Sequence, residues 1–258
     1  MSNENDTLLS RDKSVSRTGN LVLRPAHPWT ASVHALLRHL EQAGFPAPRV
    51  VGSGFQPDGR EALSYVEGEF VHPYAWRDEA IVEVGRLLRR LHDATASFVP
   101  PADAVWQPWF LRELGGPHRV IGHGDVAPWN MVTRAGMPVA LIDWEYAGPV
   151  DPMFELARTC LLFPQLVDDD IAEKWRLPPA TVRARQVRLL ADAYGLSAAQ
   201  RHDLLEHILE VGIREAAQEA IDAGVTPESV GPLWGIAWRT RSAAWITRHR
   251  STLAQALA

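Results

Sequence analysis

Short alternating apolar stretches open the chain, and helical spacing takes over further on. Thr7 to Leu9, Val15-Ser-Arg17 and Leu21-Val-Leu-Arg24 read as strands, the last two joined by Thr18-Gly19-Asn20, a glycine-containing turn that suits a hairpin. Pro25 and Pro28 end this segment. Thr30 is placed to cap a helix running to about Ala43, with Val33, Leu36, Leu37 and Leu40 as its apolar stripe and Gly44 as its stop. Val50-Val-Gly52 and Ala62-Leu-Ser-Tyr-Val66 predict two more strands around the turn Pro57-Asp-Gly59. From Asp78 the period changes: Ile81, Val84, Leu87, Leu88 and Leu91 predict a helix ending at His92. Asn130 to Thr133 and Val139 to Asp143 read as strands around Ala135-Gly136. Pro152 starts a helix through Leu162, and about 180–256 is helical with loops at Gly195, Gly224 and Gly231-Pro232.

This order predicts an α+β protein of two lobes, a small β-rich lobe over residues 1–66 and a larger, mostly helical lobe over 67–258. Glu67-Gly-Glu69 reads as the hinge. Two lobes leave a cleft, and a nucleotide is expected at the hinge, beside Ser64 and Val66, with its phosphates toward residues 123–143. Neither an internal repeat nor a low-complexity tract interrupts the chain.

The bulk numbers narrow the function. At 258 residues the chain can bury a large core. A net charge of −5 argues against non-specific nucleic-acid binding, which needs basic surface. No stretch approaches the roughly 18 apolar residues of a membrane span. The single cysteine, Cys160, rules out an internal disulfide and any Cys-x-x-Cys zinc site, and fits a cytoplasmic protein. Residues 1–6 have neither the basic start nor the apolar run of a signal peptide. The chain is expected to work as a monomer or homodimer on a small molecule.

Chemistry concentrates in Ile121-Gly-His-Gly-Asp-Val-Ala-Pro-Trp-Asn130 and Leu141-Ile-Asp-Trp-Glu145. The spacing His-x-Asp-x-x-x-x-Asn, followed by an Asp on the next hairpin, is that of a protein-kinase catalytic loop, with Gly124 where kinases carry Arg. Phosphoryl transfer needs a carboxylate beside the attacking hydroxyl and hard oxygen ligands for Mg²⁺ at the phosphates. Asp125 is the candidate base. Asn130 and Asp143 are the candidate metal ligands. His123 belongs to the catalytic set and is expected to brace the loop through backbone hydrogen bonds. Glu145 is a candidate to face metal or substrate, and Trp129 to face substrate. His-Gly-Asp alone would read as a polar turn; the full spacing is far more specific.

At these residues the chain resembles the aminoglycoside phosphotransferase and choline kinase superfamily, whose hallmark is His-Gly-Asp followed by Ile-Asp-Trp. Leu87-Leu-Arg-Arg-Leu-His92 matches its Leu-x-x-Leu-His helix, and Gly148-Pro-Val-Asp-Pro152 its Gly-Asp-Pro stretch. More narrowly, Val15–Pro25, Pro28-Trp29-Thr30 and Val33–Leu40 resemble bacterial phosphotransferase enzyme family proteins, some labelled for antibiotic resistance or toxin immunity. The resemblance implies a protein-kinase-like bilobal fold. It also implies transfer of the γ-phosphate of ATP or GTP, with Mg²⁺, to the hydroxyl of a small molecule, with Asp125 catalytic and Asn130 and Asp143 on the metal. The small lobe departs from the family. Arg24 stands where a phosphate-binding Lys is usual, no carboxylate occurs near Val33 or His34 to pair with it, and the phosphate loop Ser10-Arg-Asp-Lys-Ser14 has no glycine. Arg11, Lys13 and Arg17 are candidates to hold phosphates instead.

For the acceptor, two features compete. Asp168-Asp-Asp170 and the helix with Glu206, Glu210 and Glu215 suit a polycation, though both also read as a helix start and a solvated face. The ten tryptophans include Trp106, Trp109, Trp129 and Trp144 near the active segment and Trp234, Trp238 and Trp245 on the last helices. Their faces suit sugar rings or nucleobases, which favours a sugar- or nucleoside-containing antibiotic; core packing is the plainer use. A weak or inactive kinase acting as an immunity protein by binding is the competing function.

Overall fold

The computed structural model describes residues 7–10, 14–231 and 233–258. The first lobe is a five-stranded antiparallel sheet in the order β1-β2-β3-β5-β4, built from β1 (Thr7–Ser10), β2 (Val15–Thr18), β3 (Leu21–Arg24), β4 (Val50–Phe55) and β5 (Glu61–Ser64). The predicted hairpin is present, with Gly19 at φ +58° in its turn. Helix α1 (Thr30–Gln42) buries Val33, Leu36, Leu37 and Leu40. Trp29 is its N-cap; Thr30 is instead the first helical residue, and its hydroxyl accepts the His27 N–H at 2.9 Å.

The linker after β5 is not a free hinge. Glu69 forms an antiparallel bridge with Thr133, and Gly68 lies so close that a Cβ would sit 2.5 Å from the Thr133 carbonyl oxygen. Helix α2 (Asp78–Thr95) then runs one turn beyond His92, because Thr95 is itself buried. The site segment follows: β6 (Val120–Gly122), β7 (Met131–Arg134), β8 (Met137–Leu141) and β9 (Gly148–Val150), with β6 paired to β9 and β7 to β8. Helices α3 (Pro152–Leu162), α4 (Asp169–Lys174), α5 (Ala180–Tyr194), α6 (Ala198–Asp222), α7 (Trp234–Arg248) and α8 (Arg250–Leu257) complete the second lobe.

A continuous apolar core joins the lobes. Leu36, Leu37 and Leu40 of α1 share it with Leu88 and Leu91 of α2, Leu141 of β8 and Trp144. Trp144 is fully buried and meets Phe45 edge to face at 6.1 Å and His123 at 4.5 Å. The site therefore rests on a rigid floor. Among the described residues, no helix is long and apolar enough to cross a membrane.

Candidate active site

The loop from β6 to β7 is shaped by a glycine and a buried histidine. Gly124 has φ +78°, and a Cβ there would lie 2.1 Å from the Tyr146 carbonyl oxygen. That approach explains glycine at the position where kinases have arginine. His123 is fully buried. Its Nε2–H donates to the Ile142 carbonyl at 2.9 Å, and its Nδ1 accepts the Asp125 N–H at 3.2 Å. Burial holds its pKa below the ordinary value, so the ring is neutral and braces the loop. Below it, the buried Glu155 carboxylate accepts the Gly124 N–H at 2.6 Å and bonds His92 Nε2 at 2.6 Å.

Asp125 has 13 % of its side chain exposed, enough to meet a substrate. Its Oδ2 accepts from Asn130 Nδ2 at 2.8 Å, and its Oδ1 from Arg158 at 2.6 Å. Burial works to raise the Asp125 carboxyl, but the Arg158 cation and the Asn130 amide outweigh it, and the group is held below the usual carboxylate range. Arg158 also donates to buried Glu215 at 2.9 Å. Burial would lower the Arg158 pKa; the two carboxylates raise it instead. Sequence reading missed Arg158. Two charged residues, Glu155 and Arg158, one helical turn apart among the mostly apolar positions of 152–162, were the available signal.

Asn130 and Asp143 flank the open end of the β7–β8 hairpin, where the Ile142 N–H bonds the Asn130 carbonyl at 2.9 Å. With both Asn130 amide bonds made to Asp125, its Oδ1 accepts no hydrogen bond among the described residues. Asp143 is held in the left-handed region at φ 62°, uncommon for a residue with a side chain, which marks a shaped site. One amide oxygen and one carboxylate are the hard donors Mg²⁺ takes from protein when phosphates and water complete its shell. The residues therefore fit a nucleotide-bound divalent ion.

Arg24 lies on the opposite wall and bonds Asp143 Oδ1 at 2.9 Å. Its Nε bonds the carboxylate of Glu61, whose other oxygen bonds His34 Nε2 at 2.8 Å. As expected, α1 offers no carboxylate near Val33 or His34, yet Arg24 has an acidic partner all the same. The carboxylate comes from β5 rather than α1, because Arg24 and Glu61 are register partners in the sheet; α1 supplies His34 in support. Burial tends to lower the Arg24 pKa, but Glu61 and Asp143 raise it, so it stays charged.

The other candidates are placed as follows. Ser64 and Val66 are half-buried at the exit of β5, with the Ser64 hydroxyl accepting the Arg49 N–H at 2.8 Å. Arg11 and Lys13 lie outside the described residues. Arg17 stacks on Tyr65 at 3.7 Å. Glu145 adds to the field on Arg24 and is absent from the lining of the aromatic cavity. Trp129 is 36 % exposed and meets His72 edge to face at 5.5 Å.

The acidic candidates follow the plainer reading of a helix start and a helix face, except at Glu215. Asp168 caps α4 and pairs with Arg241 and Arg248, Asp169 accepts from Trp245 at 2.8 Å, and Asp170 pairs with Arg241. Glu206 pairs with Arg250. Glu215 is no solvated residue but buried against Arg158 and Arg239. Ion pairing uses these five charges within the fold, apart from Asp169's bond to Trp245, while Glu210 is exposed on α6.

Fold and loop together define a class, the small-molecule phosphotransferases with a kinase-like fold. A profile described as "Phosphotransferase enzyme family" matches residues 3–116 and 102–205, and the chain belongs to that family. It is 55 % identical over 248 residues to a "Trifolitoxin immunity protein" of Rhizobium leguminosarum bv. trifolii, covering 95 % of each chain. Among solved structures it resembles an amicoumacin kinase in complex with AMP-PNP and Ca²⁺. That match has a TM-score of 0.68 at 13 % identity, over 98 % of this chain and 89 % of that one. A microcompartment-associated aminopropanol kinase matches with a TM-score of 0.64 at 13 % identity, over 99 % and 96 %. At such identities these two show the shared fold.

Proposed function

We propose that the protein transfers the γ-phosphate of ATP or GTP to a hydroxyl of a small toxin or antibiotic and so inactivates it, in the cytoplasm. One observation carries this reading: Asp125 is partly open, held ionised and fixed in direction by Arg158 and Asn130, next to the hard donors Asn130 Oδ1 and Asp143. Asp125 accepts the hydrogen bond of the acceptor hydroxyl and points its lone pair at the γ-phosphorus. As the new O–P bond forms and the bond to the β–γ bridging oxygen breaks, the hydroxyl proton passes to Asp125 and the nucleoside diphosphate leaves. A Mg²⁺ ion bound by Asn130 and Asp143 would neutralise charge growing on the phosphates. Arg24, fixed by Glu61, offers a forked cation to the same phosphates. The nucleotide analogue and Ca²⁺ in the amicoumacin kinase structure support a nucleotide and a divalent ion here.

Trifolitoxin is the first acceptor to try, given the name of the 55 % identical relative. Incubation with Mg²⁺ and ATP or GTP should add the mass of one phosphoryl group to the acceptor. Asp125→Ala should remove this activity by at least a thousandfold while leaving the circular dichroism spectrum unchanged. Near-normal turnover in that variant would remove Asp125 from the chemistry. A second reading, immunity by binding alone, is favoured by the Arg24–Asp143 pair, which holds a candidate metal ligand in the ligand-free protein. A native-state ligand raises thermal stability, so a melting shift with nucleotide and Mg²⁺ speaks for the kinase and its absence for the binder.

A further inference from the structure

Beside the catalytic loop lies a cavity of about 340 Å³, within the usual range for small-molecule sites. Four tryptophans line it, brought from three separate places: Trp129 of the catalytic loop, Trp175 after α4, and Trp234 and Trp238 of α7. Two are open to solvent, Trp129 at 36 % and Trp234 at 48 %. Tryptophan is highly buried on average, so two such rings on the wall of one cavity are unusual. His72 fixes two of the rings, meeting Trp129 at 5.5 Å and Trp175 at 6.0 Å, both edge to face.

The polar groups of the cavity are few and incompletely used. Gln165 is 4 % exposed and lines the wall. Its Nε2 donates to the Tyr74 carbonyl at 2.8 Å, while its buried Oε1 has no partner. The buried His72 Nδ1 has none either. Leaving a buried acceptor without a hydrogen bond is costly, and a ligand donor would relieve that cost. Among the described residues, no carboxylate lines the cavity. Its cation, Arg239, stacks on Trp238 at 4.7 Å and lies 3.3 Å from Glu215, off the hydrogen-bond line. Glu215 is thus shared by Arg239 and Arg158, and Arg158 holds Asp125. The cavity and the catalytic carboxylate are joined through one buried ion network.

We propose that this cavity is the acceptor site and that it selects a planar, uncharged group bearing an N–H or O–H donor, with the tryptophans on its faces and Gln165 Oε1 on its donor. A polycation finds no free carboxylate there and meets Arg239. The assignment as acceptor site rests on the phosphotransferase reading; the binding preference does not.

The test titrates three alcohols into the full chain without nucleotide, followed by saturation-transfer NMR. Tryptophol carries a planar ring and an N–H donor, 2-cyclohexylethanol has no π face, and kanamycin is a hydroxylated polycation. Tryptophol should bind at least fivefold more tightly than 2-cyclohexylethanol, and kanamycin should not bind at the same concentrations. Trp129→Leu and Trp238→Leu should each weaken tryptophol at least fivefold, whereas Trp129→Phe, which keeps a π face, stays within about twofold. Gln165→Leu should erase the preference for tryptophol over its 1-methyl derivative, which lacks the N–H. Kanamycin binding more tightly than tryptophol, or tryptophol affinity unmoved in the folded tryptophan variants, overturns the proposal. If tryptophol binds as stated but no nucleotide does, the phosphotransferase reading fails and the cavity preference stands. If kanamycin is phosphorylated and tryptophol does not bind, the cavity preference fails and the phosphotransferase reading stands.

Discussion

Arg158 decides how Asp125 behaves. Replacing it by Gln removes the cation that counters burial, so the Asp125 pKa rises. In the proposed transfer Asp125 works ionised, so a raised pKa means activity is lost on the acid side at a higher pH. The acid limb of kcat/KM against pH should therefore move up in Arg158→Gln, an effect that folded fraction cannot imitate. An unmoved limb would show that Arg158 does not set the charge of Asp125. The variant should also lose about 3–5 kcal/mol of stability, because two carboxylates lose their buried partner. Glu61 plays the matching part for Arg24. Glu61→Gln keeps the shape but removes the charge-assisted bond, worth about 1.5–3 kcal/mol. The KM for nucleotide should rise roughly tenfold, with a smaller change in kcat; an unchanged KM would mean Arg24 needs no such anchor. These supports were hard to read from sequence. Arg24, Glu61 and His34 are far apart in the chain, and only strand register and the packing of α1 bring them together.

At the scale of elements, the β6–β7 loop and the β7–β8 hairpin were legible because their signals are local. The run His123 to Asn130 carries its own turn residue, and Ala135-Gly136 sits at the hairpin tip, with Ala135 at φ 50° and Gly136 at φ 73°. Gly124 is the element's most constrained position. Gly124→Ala must move the Tyr146 carbonyl, now 2.1 Å from where the Cβ would go, and must adopt a left-handed backbone. It should lower the melting temperature and displace Asp125, so transfer should fall at least a hundredfold. Wild-type activity in Gly124→Ala would show that the loop can relax without cost to the site. At Asp168–Asp170 the helix start was legible in the sequence, but the ion pairs with Arg241 and Arg248 were not, because those partners come from α7, remote in sequence.

Across the whole molecule, apolar periodicity gave the division into a β-rich and a helical part. It could not give the continuity between them. The core runs from α1 through Trp144 to α2, and Glu69 bonds Thr133 across the linker. The two walls of the cleft are therefore tied at their base, and Arg24 of one wall already touches Asp143 of the other. In the proposed complex, nucleotide would divide that pair, with Arg24 on phosphate and Asp143 on the metal. Among the tryptophans, the sequence suggested a common use without showing which would meet. Trp144 and Trp245 went to the core, whereas Trp129, Trp175, Trp234 and Trp238 gathered around one cavity.

The most direct measurement is a calorimetric titration of the non-hydrolysable nucleotide AMP-PNP into the wild-type protein and Asp143→Ala, each with and without Mg²⁺. Wild type should bind at least tenfold more tightly with the metal, and Asp143→Ala should show no such gain. Equal binding with and without Mg²⁺ in the wild type, or an undiminished gain in the variant, would contradict a nucleotide-bound ion held at Asn130 and Asp143.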